Sequence, residues 1–169
     1  GVMIDDLATR GTEEPYRIFT SRAEHRLLLR EDNADLRLLE KGYELGLHTR
    51  ETFDCFQEKK RLIAEELNRL GRTRVKPSPA VNSLLMGKGA TPLEQSASLA
   101  HFLKRPEIRY SDILTVDNSA PELPAEIRRQ VEIQCKYEGY LNRQEAEVRK
   151  FRDLERILIQ PDIDYTKVP

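Results

Sequence analysis

The chain has no tryptophan, and only 7% of its 169 residues are aromatic. A core with so few large rings must be filled mostly by Leu, Ile, Val and Ala. It has two cysteines, Cys55 and Cys135, in no Cys-x-x-Cys pair and no even framework. That excludes a disulfide scaffold and points to a reducing cytosol rather than to secretion. No apolar run approaches the length of a membrane span, and no signal peptide opens the chain. Net charge is −1. There is therefore no global field to attract a polyanion, and any basic surface has to be local.

Chemical motifs are equally scarce. Neither a Gly-x-Gly-x-x-Gly nor a Walker-type loop is present, and Gly87-Lys88-Gly89 is too short a match for either. His25, His48 and His101 lie far apart, which argues against zinc. Asp162 and Asp164 lack the glycine and distant glutamate of a calcium loop. Ser21 sits in no nucleophile elbow, and Cys55, near a helix start, reads as an inert, partly buried thiol. No catalytic constellation results.

What is present is charge and helical periodicity. Charged residues make up 34% and apolar residues 38%, the balance of a soluble, helix-rich protein. The length suits one compact domain, or one domain plus an arm. Residues 1–20 read as a short extended arm, with Val2 to Ile4 as the last strand of a preceding domain or a bare linker. Residues 21–169 read as the helical domain. Ser21 and Glu24 have the form of a capping box, which predicts a helix through Leu27, Leu28 and Leu29 to about Glu31. Asp32 or Asn33 caps a second helix with Leu36, Leu39 and Tyr43 on one face and Gly46 as its stop. Thr49 starts a third helix to Leu70, closed by Gly71, with the stripe Phe56, Ile63, Leu67 and Leu70. A short apolar helix around Val81 to Met86 follows. Thr91-Pro92-Leu93-Glu94 reads as the clearest helix start of all, ending at Pro106. Ser111 or Asp112 opens a brief turn. From Ala125 to about Ile159 the pattern is helical, with Ile127, Val131, Cys135, Val148, Phe151, Leu154 and Leu158 facing inward and Gly139 as a point of division. The fold class is all-α: a multi-helix, bundle-like domain with a short extended N-terminal arm.

Two basic tracts survive this search. Arg17, Arg22, Arg26 and Arg30 fall within fourteen positions, the last three at helical spacing of four. Like charges at that spacing repel by roughly 0.2–0.5 kcal/mol per pair. Glu24, Glu31, Asp32 or an outside anion must answer them. An internal ion-pair network and an RNA contact both remain open, because arginine pairs bidentately with carboxylate as readily as with phosphate. The second tract is Arg69, Arg72, Arg74 and Lys76, extending to Lys88, with no acidic residue between Asn68 and Leu93. Unopposed cations on a loop suit phosphate contact; a plain solvated loop is the alternative. Lys136, Tyr137, Tyr140 and Arg143 form a smaller basic and aromatic group, suited either to base stacking or to half-buried packing.

The wording of the first tract carries a resemblance. Asp5-Asp6-Leu7, Gly11-Thr12, Glu14-Pro15-Tyr16-Arg17, Phe19-Thr20-Ser21-Arg22-Ala23-Glu24, Arg26-Leu27-Leu28-Leu29-Arg30 and Asp32-Asn33-Ala34-Asp35 resemble the MnmG (GidA) family. So do Lys136-Tyr137-Glu138-Gly139-Tyr140, Arg143-Gln144, Pro161-Asp162 and Asp164-Tyr165 in its carboxyl-terminal helical region. The match is looser from Arg50 to Pro124. His25 stands where the family more often has Tyr, and Ile18 where it often has Met. That family is the large flavoprotein subunit of the tRNA uridine 5-carboxymethylaminomethyl modification enzyme. The resemblance implies a cytoplasmic parent that modifies the wobble uridine with FAD, NADH and methylene-tetrahydrofolate, as a homodimer paired with the GTPase MnmE. It implies that the FAD-binding domain and its reactive cysteines lie upstream of Gly1, so that residues 1–20 are a linker from it. A family tail tied to tRNA and MnmE follows beyond Pro169. Neither Cys55 nor Cys135 matches a catalytic position. The chain is then either a tRNA-recognition and MnmE-docking domain, or a brace for the flavin domain or dimer without RNA contact.

Overall fold

A computed structural model describes residues 2–11, 13–17 and 25–156, and holds seven α-helices and one two-stranded sheet among them. Two compact units emerge: residues 29–139, and residues 1–28 together with 140–169.

The unit of residues 29–139 holds the core. A 3-10 turn at Glu31–Asn33 leads into α2 (Ala34–Glu44). Gly46 ends α2 with φ +74°, as expected. Its N–H reaches the Tyr43 carbonyl at 2.9 Å, and the Leu47 N–H reaches that of Gly42 at 2.8 Å. This pair of bonds closes a helix when the residue past the cap is left-handed, which glycine adopts without steric penalty. Thr49 caps α3 (Arg50–Arg72), its hydroxyl accepting the Thr52 N–H at 3.3 Å. Phe56, Ile63 and Leu70 of the anticipated stripe are buried, with Leu67 packed beside them. Ser78 caps α4 (Pro79–Gly87), with Pro79 in the first turn where its missing N–H costs nothing. α5 (Leu99–Leu103) and α6 (Tyr110–Val116) follow, and α7 begins at Ala125. Leu70, Leu85, Leu99, Phe102, Leu103, Ile108, Ile113 and Val131 are fully buried at the centre.

The segment 91–98 departs from expectation. No helix starts at Thr91; the chain runs without regular structure, with a bend at Gln95, to the strand residues Ala97 and Ser98. Asn82 of α4 holds it there: its Oδ1 accepts the Leu93 N–H at 2.8 Å, and its Nδ2 donates to the Leu93 carbonyl at 3.4 Å. β2 (Ala97–Ser98) then pairs antiparallel with β1 (Arg74–Val75), Arg74 opposite Ser98 and Val75 opposite Ala97. Tertiary pairing overrides the local cap signal. Ser98 instead caps α5, accepting the His101 N–H at 3.1 Å.

In the other unit the opening residues are helical rather than extended: α1 spans Val2–Thr9. Asp6 on α1 is buried and accepts the Tyr16 hydroxyl at 2.7 Å. The predicted cap Ser21–Glu24 lies outside the described residues. Residues 25–28 form a turn, closed by Leu28 N–H to His25 O at 2.8 Å, and His25 has φ +53°. A right-handed helix excludes that φ, so the helix expected through Leu29 is absent from residues 25–30. α7 (Ala125–Glu155) passes Gly139 unbroken. Beyond it Phe151 is 62% and Leu154 52% exposed, against the inward placement expected for them. The core cluster takes nothing from α7 past Cys135. Leu158 lies outside the described residues.

Candidate nucleic-acid interface

The second basic tract divides at the end of α3. Arg69 Nε donates to Glu66 Oε2 at 2.7 Å and its Nη2 to Glu66 Oε1 at 2.8 Å. Its remaining nitrogen, Nη1, pairs with Asp117 beyond α6. Glu66 is only 3% exposed and also accepts the Tyr110 hydroxyl at 2.7 Å. The bond to Glu66 holds the guanidinium proton of Arg69 far above its ordinary range, against the opposing effect of burial. Burial, then Glu66, pushes the Tyr110 phenol up. Asp117 moves the other way. Burial would raise its carboxyl, but the Ser119 hydroxyl and Arg69 outweigh that and hold it below the usual range. Arg69 is thus neutralised within the fold.

Arg72, one turn later, is exposed, and so are Arg74 and Lys76. β1 sets their direction. Side chains alternate along a strand, and with Val75 buried, Arg74 faces outward. No described carboxylate lies within ion-pair distance of Arg72, Arg74 or Lys76. Arg74 is oriented by neutral groups, its Nε on Ser96 Oγ at 3.2 Å and its Nη2 on the Ser96 carbonyl at 2.9 Å. Lys88 is withdrawn from the tract: it donates to Asp112 at 2.8 Å, and Asp112 also takes the Arg109 N–H at 2.7 Å.

The other candidates scatter. Arg17 and Arg26 are exposed, and Arg22 lies outside the described residues. Arg30 is half-buried, with Nε on Asp32 at 2.9 Å and its guanidinium 5.9 Å from the centre of the Tyr137 ring. The helical row of arginines is therefore not formed: Arg26 stands in a turn and Arg30 in extended backbone. Lys136 bonds Glu132 at 3.0 Å and the Pro106 carbonyl at 3.3 Å. Tyr140 and Arg143 are exposed and face each other, the guanidinium 5.0 Å from the ring centre.

Sequence reasoning missed one feature. A cleft of about 780 Å³ opens between the segment 91–98 and α5, lined among others by Arg74, Glu94, Ser96, His101 and Arg105. Arg105 donates to the Thr91 carbonyl. Only the strand pairing brings Arg74 and Arg105 to one cleft, so no linear pattern signals it. Cys135 is buried, its thiol pushed up to about 11 by burial and then by Glu138, while Cys55 is exposed rather than partly buried as expected. Among the described residues no group of three His, Cys, Asp or Glu is placed to hold a metal, and no helix is long and apolar enough to cross a membrane.

A family model described as the tRNA modifying enzyme MnmG/GidA C-terminal helical domain matches residues 50–145. The tRNA uridine 5-carboxymethylaminomethyl modification enzyme MnmG of Syntrophobacter fumaroxidans is 55% identical over 168 residues, which are 99% of this chain and 26% of that protein. The protein of that name from Geobacter sulfurreducens is 49% identical over 169 residues, 100% of this chain and 27% of its own. The form II crystal structure of Aquifex aeolicus GidA superposes with a TM-score of 0.73 at 36% identity, over 100% of this chain and 26% of that one. The chain thus spans about a quarter of the length of the relatives it matches.

Proposed function

The chain belongs to the MnmG/GidA family as its C-terminal helical domain, and from that premise we propose that it holds tRNA for a cytoplasmic wobble-uridine modification enzyme. The contact is the solvent-facing edge of Arg72, Arg74 and Lys76. One observation carries this reading: these three cations stand exposed and without a described carboxylate partner, directly after Arg69, which has two. Unpaired surface cations keep their charge for phosphate. Contacts of this kind position an RNA without reading its sequence. Of the first tract, Arg30 already has Asp32 and the Tyr137 ring, which favours a structural role for it.

The flavin, NADH and methylene-tetrahydrofolate are assigned to the rest of the full-length homodimer. These residues do not fit a dinucleotide: the one Gly-x-Gly is Gly87-Lys88-Gly89, and its lysine is bound to Asp112. A protein-facing role for the later part of α7 is favoured by Phe151 and Leu154, large apolar side chains left exposed. The GTPase MnmE is the partner proposed there; the upstream flavin domain is the competing occupant.

The test is tRNA binding by the full-length protein carrying Arg72→Glu and Lys76→Glu. Affinity is expected to fall and its dependence on salt to flatten. An unchanged affinity and salt slope would remove this edge from the interface.

A further inference from the structure

We propose that the cleft between the segment 91–98 and α5 is a second contact on the same RNA, taking a backbone phosphate between Arg74 and Arg105. It rests on the reading of the Arg72–Lys76 edge as an RNA contact and extends it into the fold.

Three observations support the site. First, its lining is suited to one ligand class. Arg74, Arg105 and His101 line it together with Ser96 and Ser98, and Glu94 is the one carboxylate among the lining residues. The lining offers guanidinium and hydroxyl donors, with His101 as its one aromatic ring and no Phe, Tyr or Trp. Two guanidinium groups against one imidazole favour phosphate over a stacked base. Second, both arginines are oriented without being neutralised. Arg74 is held by the Ser96 carbonyl at 2.9 Å and Arg105 by that of Thr91. Arg69 is also held in place, but by two carboxylates. A guanidinium fixed by carbonyls keeps its full charge and its remaining N–H donors, the arrangement that planar, charge-assisted phosphate binding needs. Third, the cleft is continuous with the edge. Arg74 belongs to both, so a strand lying along Lys76 and Arg74 reaches Arg105 next. The volume of about 780 Å³ leaves room for a sugar–phosphate segment.

The experiment measures binding of a tRNA transcript to the full-length protein against salt concentration. Four proteins are compared: wild type, Arg105→Gln, Glu94→Gln, and the edge variant Arg72→Glu with Lys76→Glu. A glutamine at position 105 keeps an N–H for the Thr91 carbonyl while removing the charge. It is expected to lower the slope of log affinity against log salt by about one. The affinity ratio between 50 and 200 mM salt then shrinks about fourfold. The loss should be equal for transcripts of different sequence, as backbone contact requires. Glu94→Gln is expected to raise affinity, because it removes the one negative charge facing the bound phosphate. A role for Arg105 confined to folding would leave both the slope and the Glu94 effect unmoved. If the thermal midpoint shows Arg105→Gln to be unfolded, Glu94→Gln, a change on an exposed side chain, decides alone. A weakened edge variant with Arg105→Gln and Glu94→Gln silent would overturn the cleft and leave the edge reading standing. A silent edge variant with a reduced slope for Arg105→Gln would keep the cleft and overturn the edge. Silence in all variants would overturn both.

Discussion

Arg69 and Arg72 leave the last turn of α3 together and end in opposite surroundings. Arg69 closes onto buried Glu66 and onto Asp117, while Arg72 stands in solvent with Arg74 and Lys76 following it. In the sequence they form one unopposed basic run. In space Glu66, one turn back on α3, and Asp117, brought from beyond α6, divide it. A gap in acidic residues along a chain therefore does not by itself mark free cations, and only the fold says where a partner is missing.

The comparison breaks most sharply at Arg69. Arg69→Ala removes the ion-pair partner of buried Glu66 and leaves it Tyr110 alone, so it is expected to cost about 3–5 kcal/mol. Denaturant unfolding would read this as a lowered midpoint with an unchanged slope. A loss near zero would place Arg69 with the surface cations. Tyr110→Phe removes one hydrogen bond to Glu66 while Arg69 still serves it, and about 1–1.5 kcal/mol is expected by the same measurement. Acid supplies a smaller effect. The folded pKa of Asp117 lies below its unfolded value, near 3.9 for a free aspartate. Its contribution is therefore present above that pH and is lost as pH falls through the folded value. Midpoints measured between about pH 5 and 3 should fall less steeply in Arg69→Ala than in wild type. The smallest stability change belongs to Arg72→Glu with Lys76→Glu, within about 0.5 kcal/mol. A larger cost would mean that these cations also serve the fold.

Where side chains act through near neighbours, the sequence was legible. The Thr49 cap, the left-handed Gly46 and the stripe of Phe56, Ile63, Leu67 and Leu70 each depend on residues within a few positions. Thr91-Pro92-Leu93-Glu94 carries an equally good local signal and was misleading, because Asn82 and β1 outbid it from elsewhere in the chain. Val2 to Ile4 is too short a run to separate helix from strand by period. The arginine row assumed a helix that the turn at His25 prevents. For the candidate site, the exposed cations Arg72, Arg74 and Lys76 were legible from composition. Arg69 and Lys136 each have a glutamate within one helical turn, Glu66 and Glu132, a pairing that spacing could have signalled. Lys88 was not separable from the exposed cations, since its partner Asp112 is brought by packing. Arg105 and His101 were invisible until the β1–β2 pairing placed them beside Arg74.

The division of this basic run between RNA and fold is tested most directly by the salt dependence of tRNA binding to full-length Arg72→Glu with Lys76→Glu. A slope reduced by about two, with the unfolding midpoint unmoved, is the expected result. A wild-type slope and affinity, or a lost midpoint with no change in slope, would contradict it.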